Sequence, residues 1–546
     1  MKRKNLAVLM MLTALSASAV AGSALAEGDV KEFTFFGAMP QAERNSSNEV
    51  KDIIAEKIGA KCDETWLTGQ TAAEAVGTII ASGEYPDFID GGDAMIQLYD
   101  AGALIAWDDY LDKYPNLKEM YSDAEWEQFR QDDGHIYWAN VFQNSYGEDK
   151  TTTHNDEAFW VQAKVLEWAG YPEIQTLDQY FDLLISYAEA NPTLEDGTAV
   201  IPYTALCDDW RYFCIENAPQ FLDGYPNDGS VIVDKENLQI VDYNTTETAQ
   251  KYFKKLNEVY NAGYMDKEFG TQTYDEYIAK LSTGAVLGMC DQWWDFAYTV
   301  NDVFKQTGLD LEGCNYVPLG LTIEEGMENR WHTYGDTVNN SSGIAVTVSC
   351  EDPEAAFQFM NDLLDQEIHD LRFWGVEGVD YLVDEDGMYY RTEEMRMQCS
   401  DTSYKASHLC EYSYFPQWLG TSRDEKNAMQ PSQQTSEFFE GLAEPLVNCF
   451  KAYGAENYPD MIGSVVEENA PWFPMYSYSG NMTTDTAGGV AWTKMGEVKH
   501  EWLPKVVMAE DFDAAWAEYM EVYEACNPQA FLDEMQVELE RRAGVE

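Results

Sequence analysis

The sequence predicts an α/β protein of two interwoven lobes with a helical C-terminal region. Three observations predict it. Short apolar runs alternate with stretches of helical periodicity, the pattern of a layered α/β structure. That alternation occurs twice, once before and once after about residue 150, while no Pro- or Ser-rich linker separates the two stretches. A strand-like run, Ile344-Ala345-Val346-Thr347-Val348, then returns after the second stretch, so the chain is expected to cross more than once, near residues 147, 315 and 350.

The elements follow in order. Phe33 to Phe36 reads as a first strand, and Val50, Ile53, Ile54 and Ile58 recur at helical spacing before a Gly59 stop. Ala72, Ala75, Val76, Ile79 and Ile80 share one helical face, and Asp87 to Asp90 reads as the next strand. Parallel sheets place ligands beyond the carboxyl ends of their strands, which singles out the loops after Phe36 and Asp90. The second stretch has helices over Phe159 to Ala169, Leu177 to Ala190 and Ala249 to Ala262, punctuated by Gly170-Tyr171-Pro172 and Asn191-Pro192. Ala285 to Met289 reads as a buried strand and Asn315 to Leu319 as an extended crossover. Asp352-Pro353-Glu354 opens a helix with Pro in its first turn, and Phe512, Trp516, Tyr519 and Tyr523 form one stripe of a C-terminal helix. The expected division is 27–147 for the first lobe, 148–315 for the second, 316–350 returning to the first, and 351–546 completing the second with the C-terminal helices.

Residues 1–26 read as a secretory signal: a basic start at Lys2, Arg3 and Lys4, an apolar core from Leu6 to Ala21, and Ala24-Leu25-Ala26 at the cleavage site. The chain is therefore expected to be exported, to the cell surface or the outer side of the cytoplasmic membrane. No Cys lies at the cleavage site to carry a lipid. The formal charge of −63, from 97 acidic against 34 basic residues, excludes nucleic acid and anionic lipid as partners, since both reward clustered Lys and Arg. The ten Cys form no CxxC pair, which argues against a zinc knuckle. Export permits disulfides, with Cys399–Cys410 and Cys207–Cys214 the near pairs, but a chain of 546 residues does not need them and buried free thiols are the alternative.

Catalytic signatures are missing. There is no GxxxxGK[ST], GxSxG or HExxH, and the six His include no pair four residues apart. Asp384-Glu385-Asp386-Gly387 has its Gly too early for a calcium loop and no closing Glu, so a hairpin turn between Leu382-Val383 and Met388-Tyr389 accounts for it. No cofactor or metal is expected. A carboxylate pair suffices for glycoside hydrolysis, so a secreted carbohydrate-active hydrolase is the alternative function.

A set of short stretches carries a resemblance. They are Ala81-Ser82-Gly83-Glu84-Tyr85-Pro86-Asp87, Asp133-Gly134-His135-Ile136-Tyr137, Gly224-Tyr225-Pro226-Asn227-Asp228-Gly229, Lys255-Leu256-Asn257-Glu258, Ala279-Lys280-Leu281-Ser282, Asp291-Gln292-Trp293-Trp294 and Trp374-Gly375-Val376-Glu377-Gly378-Val379-Asp380-Tyr381. In this order, from about residue 33 to 440, they resemble the extracellular solute-binding proteins of ABC importers, in the LplA/LipO-like group of family 1, within the maltose-binding superfamily. The resemblance implies a two-lobed periplasmic-binding-protein-like fold of type II. It also implies a sugar or oligosaccharide ligand, permease subunits as partners, a monomer, and no catalysis. Many relatives carry a lipobox Cys that is absent here.

Sugars present apolar faces and hydroxyl rims, so their sites combine aromatic platforms with planar polar groups. Asp291, Trp293 and Trp294 follow a buried strand and are the leading candidates. Trp210 and Arg211 form a second cluster after the strand-like Ile201 to Leu206, and Trp374 and Glu377 lie in a Gly-flanked loop. Gln41, Asp93 and Asn144 are chosen for loop position, with Trp472, Trp418 and Trp138 as reserves.

Overall fold

The computed structural model describes residues 30–41, 45–142, 152–226, 230–334, 338–419 and 426–545. Two sheets organise them. In the first, the strands run in the order Ala60–Trp66, Lys31–Gly37, Phe88–Asp90, Ile344–Val346, Trp138–Ala139. The first three are parallel, and Ile344–Val346 is antiparallel to both of its neighbours. In the second, the order is Tyr316–Leu319, Glu157–Gln162, Val286–Gln292, Ile201–Thr204. Glu157–Gln162 is antiparallel to both neighbours, and Ile201–Thr204 is parallel to Val286–Gln292.

Side-chain alternation explains how the first sheet is covered. Phe88, Ile344 and Val346 point to one core, while Ile89 and Ala345 point to a smaller cluster with Val76, Met95, Leu98 and Trp138. The main core on that sheet draws on residues 33–141 and again on 338–429. Phe359 closes on Phe33 and Phe88, with centroids 5.7 and 6.1 Å apart. The core on the second sheet draws on residues 158–331 and 438–539. The chain therefore passes between cores within 142–157, 332–337 and 430–437.

The second and third passages differ from those expected at 315 and 350. Tyr316–Leu319 is a buried strand paired with Glu157–Gln162, so it closes the second sheet instead of leaving it. Residues 353–429, expected to complete the second lobe, bury Phe357, Phe359, Phe415 and Trp418 in the first core. Only the helices after 435 pack in the second, where Ala487–Met508, Phe512–Glu524 and Pro528–Ala543 form the helical C-terminal region.

Local signals set most boundaries. Asn48 caps the helix Glu49–Ile58, which ends at Gly59 with φ 73°, and Thr71 and Glu74 form a capping box on Ala72–Ser82. Leu382–Val383 and Tyr389–Tyr390 form the expected hairpin. The helix expected from Phe159 begins at Ala163, because Glu157–Gln162 is fully buried between two partner strands. A short, continuously buried run of this kind does not reveal its period. All ten thiols are free and buried, so neither Cys399–Cys410 nor Cys207–Cys214 is bridged.

Candidate functional site

One aromatic surface forms where the strand Val286–Gln292 turns into the helix Trp293–Thr307. Successive helical residues point about 100° apart, so the two tryptophans at the start of this helix diverge. Trp293 turns inward: it is 7% exposed, with Trp160 and Tyr458 rings 5.5 and 4.6 Å away. Trp294 turns outward, 40% exposed, its indole N–H donating to Gln292 Oε1. It lies nearly parallel to Trp210, itself 45% exposed, at 5.7 Å and 14°. Phe213 stacks on Trp210 from the short helix that follows. One turn after Trp294, Tyr298 leaves 66% of its surface open.

Polar groups hold this surface from behind. The Arg211 guanidinium lies against the Trp210 and Tyr274 rings, at 4.4 and 3.9 Å, and its Nε donates to Asp295 Oδ1 at 2.9 Å. Behind Asp295, the fully buried Asp291 accepts from the Tyr277 hydroxyl at 2.6 Å and the Cys214 thiol at 3.2 Å. Burial, followed by the neighbouring Asp295 charge, pushes the Asp291 carboxyl well above the usual carboxylate range. Across the sheet Glu157, also fully buried, is pushed up to about 8, again by burial first, with Asp291 adding to it. Its Oε2 accepts from Asn217 at 2.9 Å and Oε1 has no partner.

Glu157 makes a pH prediction. In the folded chain it keeps its proton to about pH 8, whereas the unfolded chain releases it near 4.5. Its contribution to stability is therefore fully present below pH 4.5 and is lost as pH rises through 8, at up to about 1.4 kcal/mol per pH unit. Glu157→Gln is expected to flatten that decline in denaturant titrations between pH 5 and 8.

The first core supplies a facing surface. Gln41 Nε2 donates to the Tyr414 hydroxyl at 3.1 Å, and Tyr414 packs edge-on to Trp66 and to Phe142, which is 50% exposed. The loop carrying Glu411 and Tyr414 is braced by Arg372, 1% exposed, which donates to the carbonyls of Leu363, Glu411, Tyr412 and Pro416. At the carboxyl end of Phe88–Asp90, burial raises Asp90 to about 6. Burial also pushes the Tyr414 phenol up to about 12, with Asp90 and Tyr298 adding to it. Crowding by neighbouring groups, then the Glu411 carboxylate, raises the Tyr298 phenol, although 66% of the residue is open to solvent.

No protein-family model and no curated protein matches the chain. Solved structures do. The chain is similar to "alginate-binding protein AlgQ2 without calcium ion" (TM-score 0.62, 16% identity, 95% of this chain and 100% of that one). It is similar to the "S.pneumoniae ABC-transporter substrate binding protein FusA in complex with kestose" (0.62, 15%, 94% and 100%). It is also similar to an "HMO binding ABC-transporter associated Solute Binding Protein" from Bifidobacterium longum infantis (0.61, 13%, 93% and 98%). The fold is that of the ABC-transporter substrate-binding proteins.

Within this substrate-binding-protein fold, Trp210, Arg211 and Trp294 come together on one surface, and Gln41 and the exposed Asp93 lie on elements of the other. Asp291 and Trp293 stand behind the first surface as support, because their side chains point into the second core. Trp374 is wholly buried, its indole donating to the Ala428 carbonyl at 3.0 Å, and it packs with Tyr381 and Tyr389. Its Gly-flanked position is the capped end of the helix Gln366–Phe373, which turns the ring inward. Glu377 is exposed on the loop beyond, where its backbone forms an isolated bridge with that of Tyr381. Asn144 lies outside the described residues. Trp138, Trp418 and Trp472 are buried core residues. Tyr298, Phe142, Tyr414 and Asp295 were not among the sequence candidates.

Cys214, Asp291 and Asp295 bring a thiol and two carboxylates within 4.8 Å of one another, a spacing a metal could use. Burial pushes the Cys214 thiol far up and the thiol donates to Asp291, so a metal bound there would have to displace that proton.

Proposed function

We propose that this protein is the exported substrate-binding component of an ABC importer, capturing a carbohydrate between its two α/β units and passing it to a permease. What supports this reading is the exposed aromatic surface of Trp210, Trp294 and Tyr298, with Tyr298 within electrostatic reach of Tyr414, which holds Gln41. Indole faces match the apolar faces of sugar rings, and Gln, Arg and carboxylate groups at their edges match hydroxyl rims. Proteins of the same fold are described as alginate-binding, as in complex with kestose and as HMO binding, which supports the ligand class.

The two units we assign as lobes are residues 30–142 with 338–429, and 152–334 with 430–545. Ligand contacts made only when both lobes close would shift the open–closed population, and the closed form is the one a permease would read. No bond in the ligand changes. The close carboxylate pair, Asp291 and Asp295, is buried behind the aromatic surface at 0% and 3% exposure, out of reach of a glycosidic bond. The chain is read as a monomer. Its signal, residues 1–26, lies outside the described residues, and no helix among those described is long and apolar enough to cross a membrane.

A thermal-shift screen of oligosaccharides tests the reading. A ligand at about 100 times its Kd is expected to add about 2.7 kcal/mol of stability, and chromatography is expected to recover it intact. Turnover abolished by a single Asp or Glu substitution would establish the hydrolase instead.

A further inference from the structure

One cluster of side chains has no part in holding a saccharide. Cys214, Asp291 and Asp295 each offer a donor atom within 4.8 Å of the others, and all three residues are buried. They come from three elements: Cys214 from the short helix Phe213–Glu216, Asp291 from the end of the strand Val286–Gln292, and Asp295 from the first turn of the helix Trp293–Thr307. Most of their hydrogen-bonding capacity is taken up. Arg211 Nε donates to Asp295 Oδ1 and the Tyr277 hydroxyl to Asp291 Oδ2, while the Gln292 backbone N–H and the Cys214 thiol share Asp291 Oδ1. The exception is Asp295 Oδ2, an oxygen of a residue only 3% exposed, which has no hydrogen-bond partner.

A buried carboxylate oxygen without a partner is costly, and buried charges are as a rule paired or bound to a metal. We propose that Cys214, Asp291 and Asp295 bind one divalent cation of the zinc type, with Asp295 coordinating through Oδ2. A mixed set of thiolate and carboxylates suits zinc and not calcium or magnesium, which take oxygen donors alone. Donors on a tetrahedral zinc lie roughly 3.4–3.6 Å apart for bonds of about 2.3 Å to sulfur and about 2.1 Å to oxygen, so the Cys214–Asp291 pair at 3.2 Å is near that spacing. Binding displaces the thiol proton to solvent, together with any proton shared by the two carboxyls, as a coordinated thiol is deprotonated. The donors on Arg211, Tyr277 and Gln292 keep their acceptors. A thiolate and two carboxylates beside one guanidinium leave two negative charges, which a divalent ion balances. The ion would tie the helix bearing Phe213, which stacks on Trp210, to the turn bearing Trp294, and so brace the aromatic surface from behind.

The test is titration of the whole, chelator-treated chain with Cd2+, a stand-in for zinc whose bond to a thiolate gives an ultraviolet charge-transfer band. Each sample is also unfolded in denaturant and refolded with the metal present, so that burial does not bar entry. The wild type is expected to develop the band to a single equivalent and to lose it when Zn2+ competes. Cys214→Ser is expected to show no band although the other buried thiols remain, and Asp295→Asn to bind Cd2+ at least tenfold more weakly. No band in the refolded wild type, or a band of equal size in Cys214→Ser, would overturn the proposal. Should Asp295→Asn not fold, the comparison of wild type with Cys214→Ser still decides it. No saccharide is present, so neither result bears on the carbohydrate reading.

Discussion

Trp294→Ala is expected to weaken saccharide binding at least tenfold while shifting unfolding stability by less than about 1.5 kcal/mol. The indole is 40% exposed, and its main protein contact is the nearly parallel Trp210 ring, a pairing worth about 0.5–1.5 kcal/mol beyond area burial. Losing an aromatic anchor from a binding surface costs about 2 kcal/mol or more, and each 1.4 kcal/mol is a factor of ten in affinity. The same change at Trp210 should act in the same direction, because its ring is 45% exposed beside Trp294. Calorimetric titration and thermal unfolding of the same preparation separate the two effects. Unchanged affinity in both variants would remove the platform from the site.

The adjacent residue behaves in the opposite way. Trp293→Ala is expected to cost about 3–5 kcal/mol of stability, the range for truncating a large buried aromatic. Trp293 is 7% exposed and packs on Trp160, Phe296 and Tyr458. Urea titration reads the loss. Binding measured well below the lowered unfolding temperature should change less than for Trp294→Ala. A destabilisation under about 1 kcal/mol would mean that the inward ring is not a core residue.

These paired residues show how far the sequence could be read. The end of the strand before Trp293 was legible from the apolar run at Ala285 to Met289 and from the rule that ligands gather beyond strand ends. Which tryptophan points outward was not, because that depends on the helix starting at Trp293 and not one residue later. Extending that helix to its end would have placed Tyr298 one turn beyond Trp294 on the same face. Trp374 misled because flanking glycines suggest an open loop, while its burial depends on Tyr381, Tyr389 and the Ala428 carbonyl, the last 54 residues away. The facing surface was harder still. Gln41 meets Tyr414 across 373 residues, and no local periodicity joins them. The same holds for residues 353–429: their helices were legible from caps such as Asp352-Pro353, but their allegiance to the first core rests on Phe359 reaching Phe33 and Phe88.

Ligand capture is expected to close the two proposed α/β lobes on a saccharide held at the aromatic surface. Small-angle X-ray scattering of the full chain, with and without a saturating sugar found by the screen, is expected to show a smaller radius of gyration when ligand is bound, reversed on its removal by dialysis. An unchanged radius at calorimetrically proven saturation would contradict it.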